Sequence, residues 1–132
     1  MKTKISIILC LVLAVSFVLS GCADGETVKR MEADTSAMID CIIAGDRNAA
    51  YEIIKEGCSR EDFDEFFDYI RPFFEGFGEY ELKQTGWKTN FGTSGTTYTM
   101  SYSITSEDGK RSYNVTASSR EGTEGLIGFS VE

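Results

Sequence analysis

The sequence predicts an α+β fold in which three N-terminal helices pack on one face of a four-stranded antiparallel meander sheet. Two observations lead to this prediction. From residue 28 to residue 77 the apolar residues recur every three or four positions, which is the period of an amphipathic helix. From residue 80 to residue 131 they alternate with polar residues, which is the period of a half-buried strand. The change of period near Gly78 therefore separates a helical layer from a sheet.

The first helix is predicted from an apolar stripe whose members are three or four positions apart. The stripe consists of Val28, Met31, Thr35, Met38 and Ile42, and Ile39 widens it. Three acids, Glu32, Asp34 and Asp40, lie off this stripe. The stripe is interpreted as the face that contacts the core.

Capping residues divide the remaining helical segment into two further helices. Gly45 ends the first helix, and Asp46 can cap the second. Ser59 begins the third helix in a variant of the capping box that has an aspartate in the acidic position. Pro72 interrupts the apolar pattern of the third helix, and it predicts a kink or an end near residues 70–71.

The first strand is predicted to run from Tyr80 to about Lys88, and residues 90–95 are predicted to form a loop. A glycine within a strand often marks a β-bulge, so Gly86 predicts a bulge that displaces Trp87.

The second and third strands are predicted to form a hairpin around Asp108-Gly109, a strong two-residue turn signal. Folding the chain at this turn pairs apolar residues with one another: Ile104 with Tyr113, Tyr102 with Val115, and Met100 with Ala117. Turn and alternation independently predict the same register. A further turn near residues 121–122 returns Ile127, Phe129 and Val131 to that same face.

The N-terminal segment has the features of a secretory signal. Lys2 and Lys4 precede an apolar run of 15 residues, from Ile5 to Leu19, against about 20 for a membrane-spanning helix. Leu19-Ser20-Gly21-Cys22 resembles the lipobox of bacterial lipoproteins, in which the cysteine thiol receives a diacylglyceryl group. The resemblance implies a lipoprotein signal peptide at 1–21, a lipidated Cys22 with a short tether at 22–27, and a single domain at 28–132. Acyl chains such as palmitate would then hold the protein at the extracytoplasmic side of the cell membrane.

The charge of the chain after residue 21 excludes several functions. Lys2 and Lys4 are the charged residues of the signal, so 11 Lys and Arg remain against 21 Asp and Glu, a net charge of −10. Such a surface repels nucleic acid and anionic lipid headgroups. Histidine is absent from the sequence, which excludes Ser-His-Asp and Cys-His catalysis and zinc sites with histidine ligands. The sequence predicts no catalytic residue, no metal and no cofactor.

Two cysteines remain once Cys10 leaves with the signal and Cys22 is lipidated. An even pair in an exported domain allows a disulfide, which is predicted between Cys41 and Cys58. The bond requires the second helix to be short or to cross the first obliquely. The alternative is that both residues are reduced and behave as small apolar side chains.

The order of the elements resembles the nuclear-transport-factor-2-like fold, which is also called ketosteroid-isomerase-like. The resemblance is found in the helical segment 38–54, which contains Gly45-Asp46 and Ala49-Ala50-Tyr51, and in Leu126-Ile127-Gly128-Phe129, which is similar to the closing strand of that family. Small bacterial lipoproteins often carry such a domain. The alternative is a cystatin-like arrangement of a helix on a sheet. The isomerases use an aspartate and a tyrosine, but no motif assigns those roles to residues of this chain.

These observations predict a lipid-anchored, non-catalytic binding or accessory module at the outer face of the cytoplasmic membrane. Its ligand would be a small apolar molecule in a pocket with walls from Trp87, Tyr98, Tyr102 and Tyr113. An enzyme of the isomerase type would need an acid on the apolar face of the sheet, where the predicted strands have none. A module that binds a protein of the cell envelope is the third hypothesis.

Overall fold

In the computed structural model, residues 25–93 and 95–132 are described. The predicted signal peptide and Cys22 lie outside the described residues. The described helices are α1 (Gly25–Ala44), α2 (Arg47–Ile54) and α3 (Arg60–Phe74). The strands are β1 (Tyr80–Gly92), β2 (Gly95–Ser106), β3 (Ser112–Arg120) and β4 (Gly128–Val131), in the sheet order β1-β2-β3-β4 with antiparallel pairing throughout. The predicted α+β fold class, three helices followed by a four-stranded meander, is confirmed.

The helix boundaries follow the predicted capping residues. Gly45 adopts a positive φ of 77° after α1, a conformation that costs glycine little. The Asp46 carboxylate accepts a hydrogen bond of 3.2 Å from the Ala49 amide at the start of α2. The Ser59 hydroxyl accepts one of 3.2 Å from the Asp62 amide at the start of α3. Each cap satisfies an amide that has no partner within its helix.

Pro72 predicts an end of helix α3 at residues 70–71, but the helix continues through Pro72 to Phe74. Aromatic packing accounts for the additional turn. The Phe74 ring lies 5.1 Å from the ring of Phe77 and 5.7 Å from that of Tyr113, and the Phe73 ring lies 5.5 Å from Tyr113. Burial of these rings offsets the loss of the one hydrogen bond that Pro72 cannot donate.

The β2–β3 hairpin has the predicted register. Ile104 lies opposite Tyr113, Tyr102 opposite Val115, and Met100 opposite Ala117. The turn is wider than the predicted two residues, because the Ser106 amide donates to the Arg111 carbonyl at 2.9 Å and leaves residues 107–110 as the connection. The Asp108 carboxylate stabilises this wider turn by accepting from the Ser106 hydroxyl at 2.6 Å and from the Lys110 amide at 3.0 Å.

The β1–β2 hairpin is longer than predicted. Pairing continues to Gly92 opposite Gly95, so the predicted loop at 90–95 is mostly strand. The register shifts between Gln84 and Gly86, which is where the predicted bulge lies. After the bulge, Trp87 lies opposite Met100 and therefore on the face of the sheet that the helices cover.

The core lies between the three helices and this inner face of the sheet. Its fully buried large side chains are Tyr102, Phe63, Phe67, Phe74, Met31, Met38, Ile39, Ile42, Ile70, Met100, Ile104 and Leu126. The segment before β4 closes one side of the core, where the Leu126 amide donates to the Ile53 carbonyl at the end of α2 at 2.8 Å. In the described part of the chain, no helix is both long enough and apolar enough to cross a membrane.

Candidate functional site

The most unusual group in the core is the carboxyl of Glu32, which lies between α1 and the sheet. Only 4% of Glu32 is exposed, although the apolar stripe of α1 placed it off the core face. The reason is the width of the stripe: Glu32 lies seven positions before Ile39 and four after Val28, both of which are buried. The position of Ile39 was the signal in the sequence that could have identified Glu32 as buried.

The side chains around Glu32 are polar as well. Thr35 and Ser36 are buried on the next turn of α1, and the Thr35 hydroxyl donates to the Met31 carbonyl at 2.7 Å. Tyr102 reaches this region from the middle of β2 and is fully buried. Sequence and topology therefore bring a carboxyl, two hydroxyls and a phenol together between the helical layer and the sheet.

Two atoms of this cluster lack hydrogen-bond partners within the part of the chain that the structure describes. They are Oε2 of Glu32 and the phenolic oxygen of Tyr102, both of which are buried. Burial raises the pKa of Glu32 from 4.5 to about 7, because the charged carboxylate loses its hydration. Burial also raises the pKa of the Tyr102 phenol above its usual value. The neighbouring Thr35 hydroxyl lowers that pKa, and the charges of Glu32 and Asp34 raise it.

The cluster can therefore hold a proton at a neutral pH. A carboxyl with a pKa of about 7 is populated in both protonation states near pH 7, which is the property required of a general acid or base. The Tyr102 phenol stays protonated and can donate a hydrogen bond to a developing negative charge. The enzyme hypothesis required an acid on the strands, but the structure supplies one from the facing helix.

The titration of Glu32 should appear in the stability of the protein. The pKa of Glu32 is higher in the folded state than in the unfolded state, so protonation of Glu32 favours folding. This contribution to the free energy of unfolding is fully present below about pH 4.5 and is lost as the pH rises through 7. Glu32→Gln should remove this loss of stability at high pH. At pH 8 we expect the free energy of unfolding of the variant to exceed that of the unsubstituted protein by about 2–3 kcal/mol. Urea unfolding at pH 5 and pH 8 measures the difference.

Two features make this measurement specific. Asp34 and Asp40 also have raised pKa values, mainly because of burial, but they are present in both proteins and cancel in the comparison. Glu65→Gln is the matched control, because Glu65 is an exposed glutamate on α3. A Glu32→Gln protein whose stability changes with pH as the unsubstituted protein does would show that Glu32 does not titrate in this range.

The four predicted pocket walls occupy different environments. Tyr102 is in the core, and Tyr113 packs among Phe73, Phe74 and Phe77 at centroid distances of 5.5–6.0 Å. Tyr98 lies opposite Ser119, six residues along β3 from Tyr113, or roughly 20 Å. Trp87 is 43% exposed. The structure therefore spreads these side chains along the inner face and does not gather them around one cavity.

Two surface depressions have polar linings and include none of these four aromatic residues. One lies between α2 and α3 and is lined by Arg47, Phe67, Asp68, Arg71, Pro72 and Glu75. The other lies beside the β2–β3 turn and is lined by Glu79, Tyr80, Glu81, Thr105, Ser106, Glu107 and Gly109. Within the described residues, no group of three or more Cys, Asp or Glu side chains is arranged to hold a metal ion.

Cys41 and Cys58 are free thiols, so the predicted disulfide is absent from the structure. Their positions give the reason. Cys41 lies in the last turn of α1, whereas the eight residues of α2 carry the chain about 12 Å before it reaches Cys58. The Cys58 thiol instead donates to the Ile54 carbonyl at 3.8 Å. Burial is the main cause that raises the pKa of both thiols, which makes their reactive thiolate forms scarcer.

The described domain therefore combines a buried proton-holding cluster, Glu32 with Tyr102, and a partly exposed row of aromatic side chains that begins at Trp87. Tyr102 and Trp87 lie on the inner face of the sheet, and the buried Glu32 approaches Tyr102 from α1. Comparison with protein-family models, with curated proteins and with solved structures finds no match for this chain.

Proposed function

We propose that this protein is an exported bacterial lipoprotein whose domain is a binding or accessory module, held at the outer face of the cytoplasmic membrane by Cys22. The observation that carries the proposal is the lipobox Leu19-Ser20-Gly21-Cys22, placed behind a cationic start and an apolar run of signal length. Helix α1 begins at Gly25, so the folded domain starts three residues after the lipidated cysteine. A module of this kind works next to the bilayer.

Replacement of Cys22 tests the anchor. Cys22→Ser removes the thiol that accepts the diacylglyceryl group, and two acyl chains are what make such anchoring stable. With a net charge of −10 after residue 21, electrostatic attraction to an anionic membrane cannot compensate. We expect the variant to leave the membrane fraction after a high-salt wash, whereas the unsubstituted protein stays. Cys58→Ser is the control that keeps the anchor, and a Cys22→Ser protein that still sediments with membranes would contradict the proposal.

A second function is favoured by the cluster in the core. Glu32 and Tyr102 are an acid and a phenol with unpaired buried oxygens, the two groups that an isomerase of the resembled family uses to move a proton next to a carbonyl. A substrate would have to enter between α1 and the sheet, because Glu32 is shielded from solvent. Because α1 would have to move away from the sheet to admit a substrate, we rank the enzyme behind the binding module.

Proton exchange at a ketone tests the second function. In D2O, a working Glu32 base would speed deuterium incorporation at the carbon next to the carbonyl of an unconjugated cyclic ketone. Glu32→Gln should abolish the acceleration while the far-ultraviolet circular dichroism stays unchanged. Equal exchange rates with both proteins and with buffer would exclude this enzyme.

A further inference from the structure

The free end of the β1–β2 hairpin exposes two large aromatic side chains. Phe91 is 85% exposed and Trp87 is 43% exposed. Phe91 lies opposite Thr96, and Trp87 lies opposite Met100, so the two side chains share the inner face of the sheet. We call residues 86–93 and 95–97 the hairpin tip. Exposed aromatic residues that lie close together on one face commonly mark a surface that contacts a partner or a membrane.

The end of the hairpin tip is uncovered because β1 and β2 extend past the neighbouring strand β3. Pairing of β2 with β3 ends at Thr97, opposite Arg120, whereas β1 and β2 stay paired as far as Gly92 and Gly95. β1 has 13 residues and β2 has 12, whereas β3 has 9 and β4 has 4. The bulge between Gln84 and Gly86 places Trp87 and Phe91 on the inner face, where the rest of the domain covers Trp87 only in part and leaves Phe91 almost fully exposed.

Helix α1 points its N-terminus toward the same end of the sheet. Near its start, the Arg30 guanidinium donates to the Ser119 hydroxyl at 2.8 Å, and Ser119 lies opposite Tyr98 close to the hairpin tip. Near its end, Asp40 accepts from the Tyr80 hydroxyl at 2.8 Å, and Tyr80 is the first residue of β1. The helix therefore runs along the strands, with Gly25 at the hairpin-tip end.

The strands that form the hairpin tip carry no acidic side chain. Residues 82–106 contain no Asp or Glu, although the chain has 21 of them, and Lys88 follows Trp87. Glu121 lies in the next loop, where its amide donates to the Thr96 carbonyl at 2.8 Å. The other strongly exposed aromatic side chain described is Tyr69, which is 67% exposed on the acidic helix α3, beside Asp68. The hairpin tip is thus an exposed aromatic surface whose own strands carry no acid to oppose its approach to a bilayer.

The short tether makes the bilayer the surface that contacts the hairpin tip, and this step rests on the lipid anchor proposed above. Three peptide units join Cys22 to Gly25, and they span at most about 11 Å. The start of α1 must therefore lie within that distance of the lipidated residue, and the hairpin tip lies at the same end. Tryptophan and other aromatic side chains are favoured at the headgroup level, where the ring is partly buried and its polar edge stays hydrated.

We infer that Trp87 and Phe91 insert into the headgroup region of the membrane that holds the lipid anchor. The hairpin tip is then a second contact with the bilayer, and it fixes the orientation of the domain. In this orientation the hairpin tip faces the membrane, while the β2–β3 turn and the acidic surface of α3 face away from it.

The experiment uses Trp87 as its own reporter, because it is the one tryptophan of the sequence. Lipidated protein is reconstituted in vesicles of phosphatidylethanolamine and phosphatidylglycerol and floated in a density gradient. In the floated fraction, we expect acyl chains brominated near the headgroup to quench Trp87 emission. Acrylamide should quench it several-fold less than in the Cys22→Ser protein without vesicles. Floated protein in which acrylamide quenches Trp87 equally well would overturn the inference and leave the anchor intact.

Two variants control the position of the reporter. Moving the tryptophan to α3, in Trp87→Phe with Tyr69→Trp, should restore quenching by acrylamide, because that surface faces away from the bilayer. Phe91→Ser, which keeps the reporter, should weaken quenching by the brominated lipids several-fold. Equal shielding of the tryptophan at positions 69 and 87 would overturn the proposed orientation.

Two other outcomes would overturn the inference for different reasons. Protein that fails to float lacks the lipid anchor, which overturns the proposed function and this inference with it. Shielding of Trp87 that rises with protein concentration in the Cys22→Ser form, without vesicles, would make a second copy of the chain the occupant and overturn the membrane contact.

Discussion

Tyr102→Ala should lower the free energy of unfolding by about 3–5 kcal/mol, as expected when a large aromatic side chain is deleted from a close-packed core. Tyr102 is fully buried in the middle of β2, opposite Val115, and the helices cover its face of the sheet. Urea unfolding followed by circular dichroism measures the loss. Ser101→Ala is the matched control, because Ser101 is the adjacent residue on the other face, and it should change stability by less than about 0.5 kcal/mol.

Tyr102→Phe separates the ring from the hydroxyl. The phenolic oxygen is buried without a hydrogen bond of good geometry among the described residues, so the nearby Thr35 hydroxyl offsets little of its lost hydration. We expect Tyr102→Phe to be as stable as the unsubstituted protein, or more stable by up to about 1 kcal/mol. A loss comparable to that of Tyr102→Ala would mean that the hydroxyl makes a strong hydrogen bond in the fold.

Gly125→Ala should be about as damaging, at roughly 3–5 kcal/mol, for a reason that involves the backbone. Gly125 has a φ of 74°, and a Cβ built on it would overlap the carbonyl oxygen of Ile53. That same oxygen accepts the 2.8 Å hydrogen bond from the Leu126 amide. A side chain at this position therefore separates the segment before β4 from α2 and breaks the bond that joins them. Thermal unfolding of the variant measures the loss.

Gly122→Ala is the control for backbone strain alone. Gly122 has a φ of 83°, close to that of Gly125, but no atom lies within 4 Å of the position that its Cβ would occupy. Only the cost of a left-handed conformation remains, which is about 1–2 kcal/mol. Equal losses at the two positions would show that the contact with Ile53 does not limit stability.

The parts of the fold that could be predicted from the sequence depend on short-range signals that agree with one another. The β2–β3 register is correct because the alternation around Tyr102 and the turn at Asp108-Gly109 give the same pairing independently. The caps at Asp46 and Ser59 are local in the same sense, since each side chain bonds an amide three residues away.

The remaining features depend on contacts between residues far apart in the chain. Pro72 interrupts a helix on local grounds, but Phe74 extends it by packing against Tyr113, which is 39 positions away. Glu32 is polar, and it is buried because it lies between Val28 and Ile39 on the widened face of α1 that packs against the core. A stripe drawn from apolar residues alone does not include a buried acid, so the apolar pattern of α1 does not predict the candidate site.

The consecutive order of the strands has a consequence for how fast the chain folds. Each strand pairs only with its neighbours in sequence, so every hairpin closes a short loop and folding of the sheet is fast for a β structure. The slow contact is the docking of α1, whose Arg30 bonds Ser119 across 89 positions. A chain that crosses a membrane unfolded, with its N-terminus first to emerge, would assemble the sheet last and then close it against a helix already held at the bilayer. In the proposed lipoprotein, α1 would then be tethered at the membrane while the sheet forms, and its docking would close the longest loop of the fold, which carries the largest loop-closure entropy.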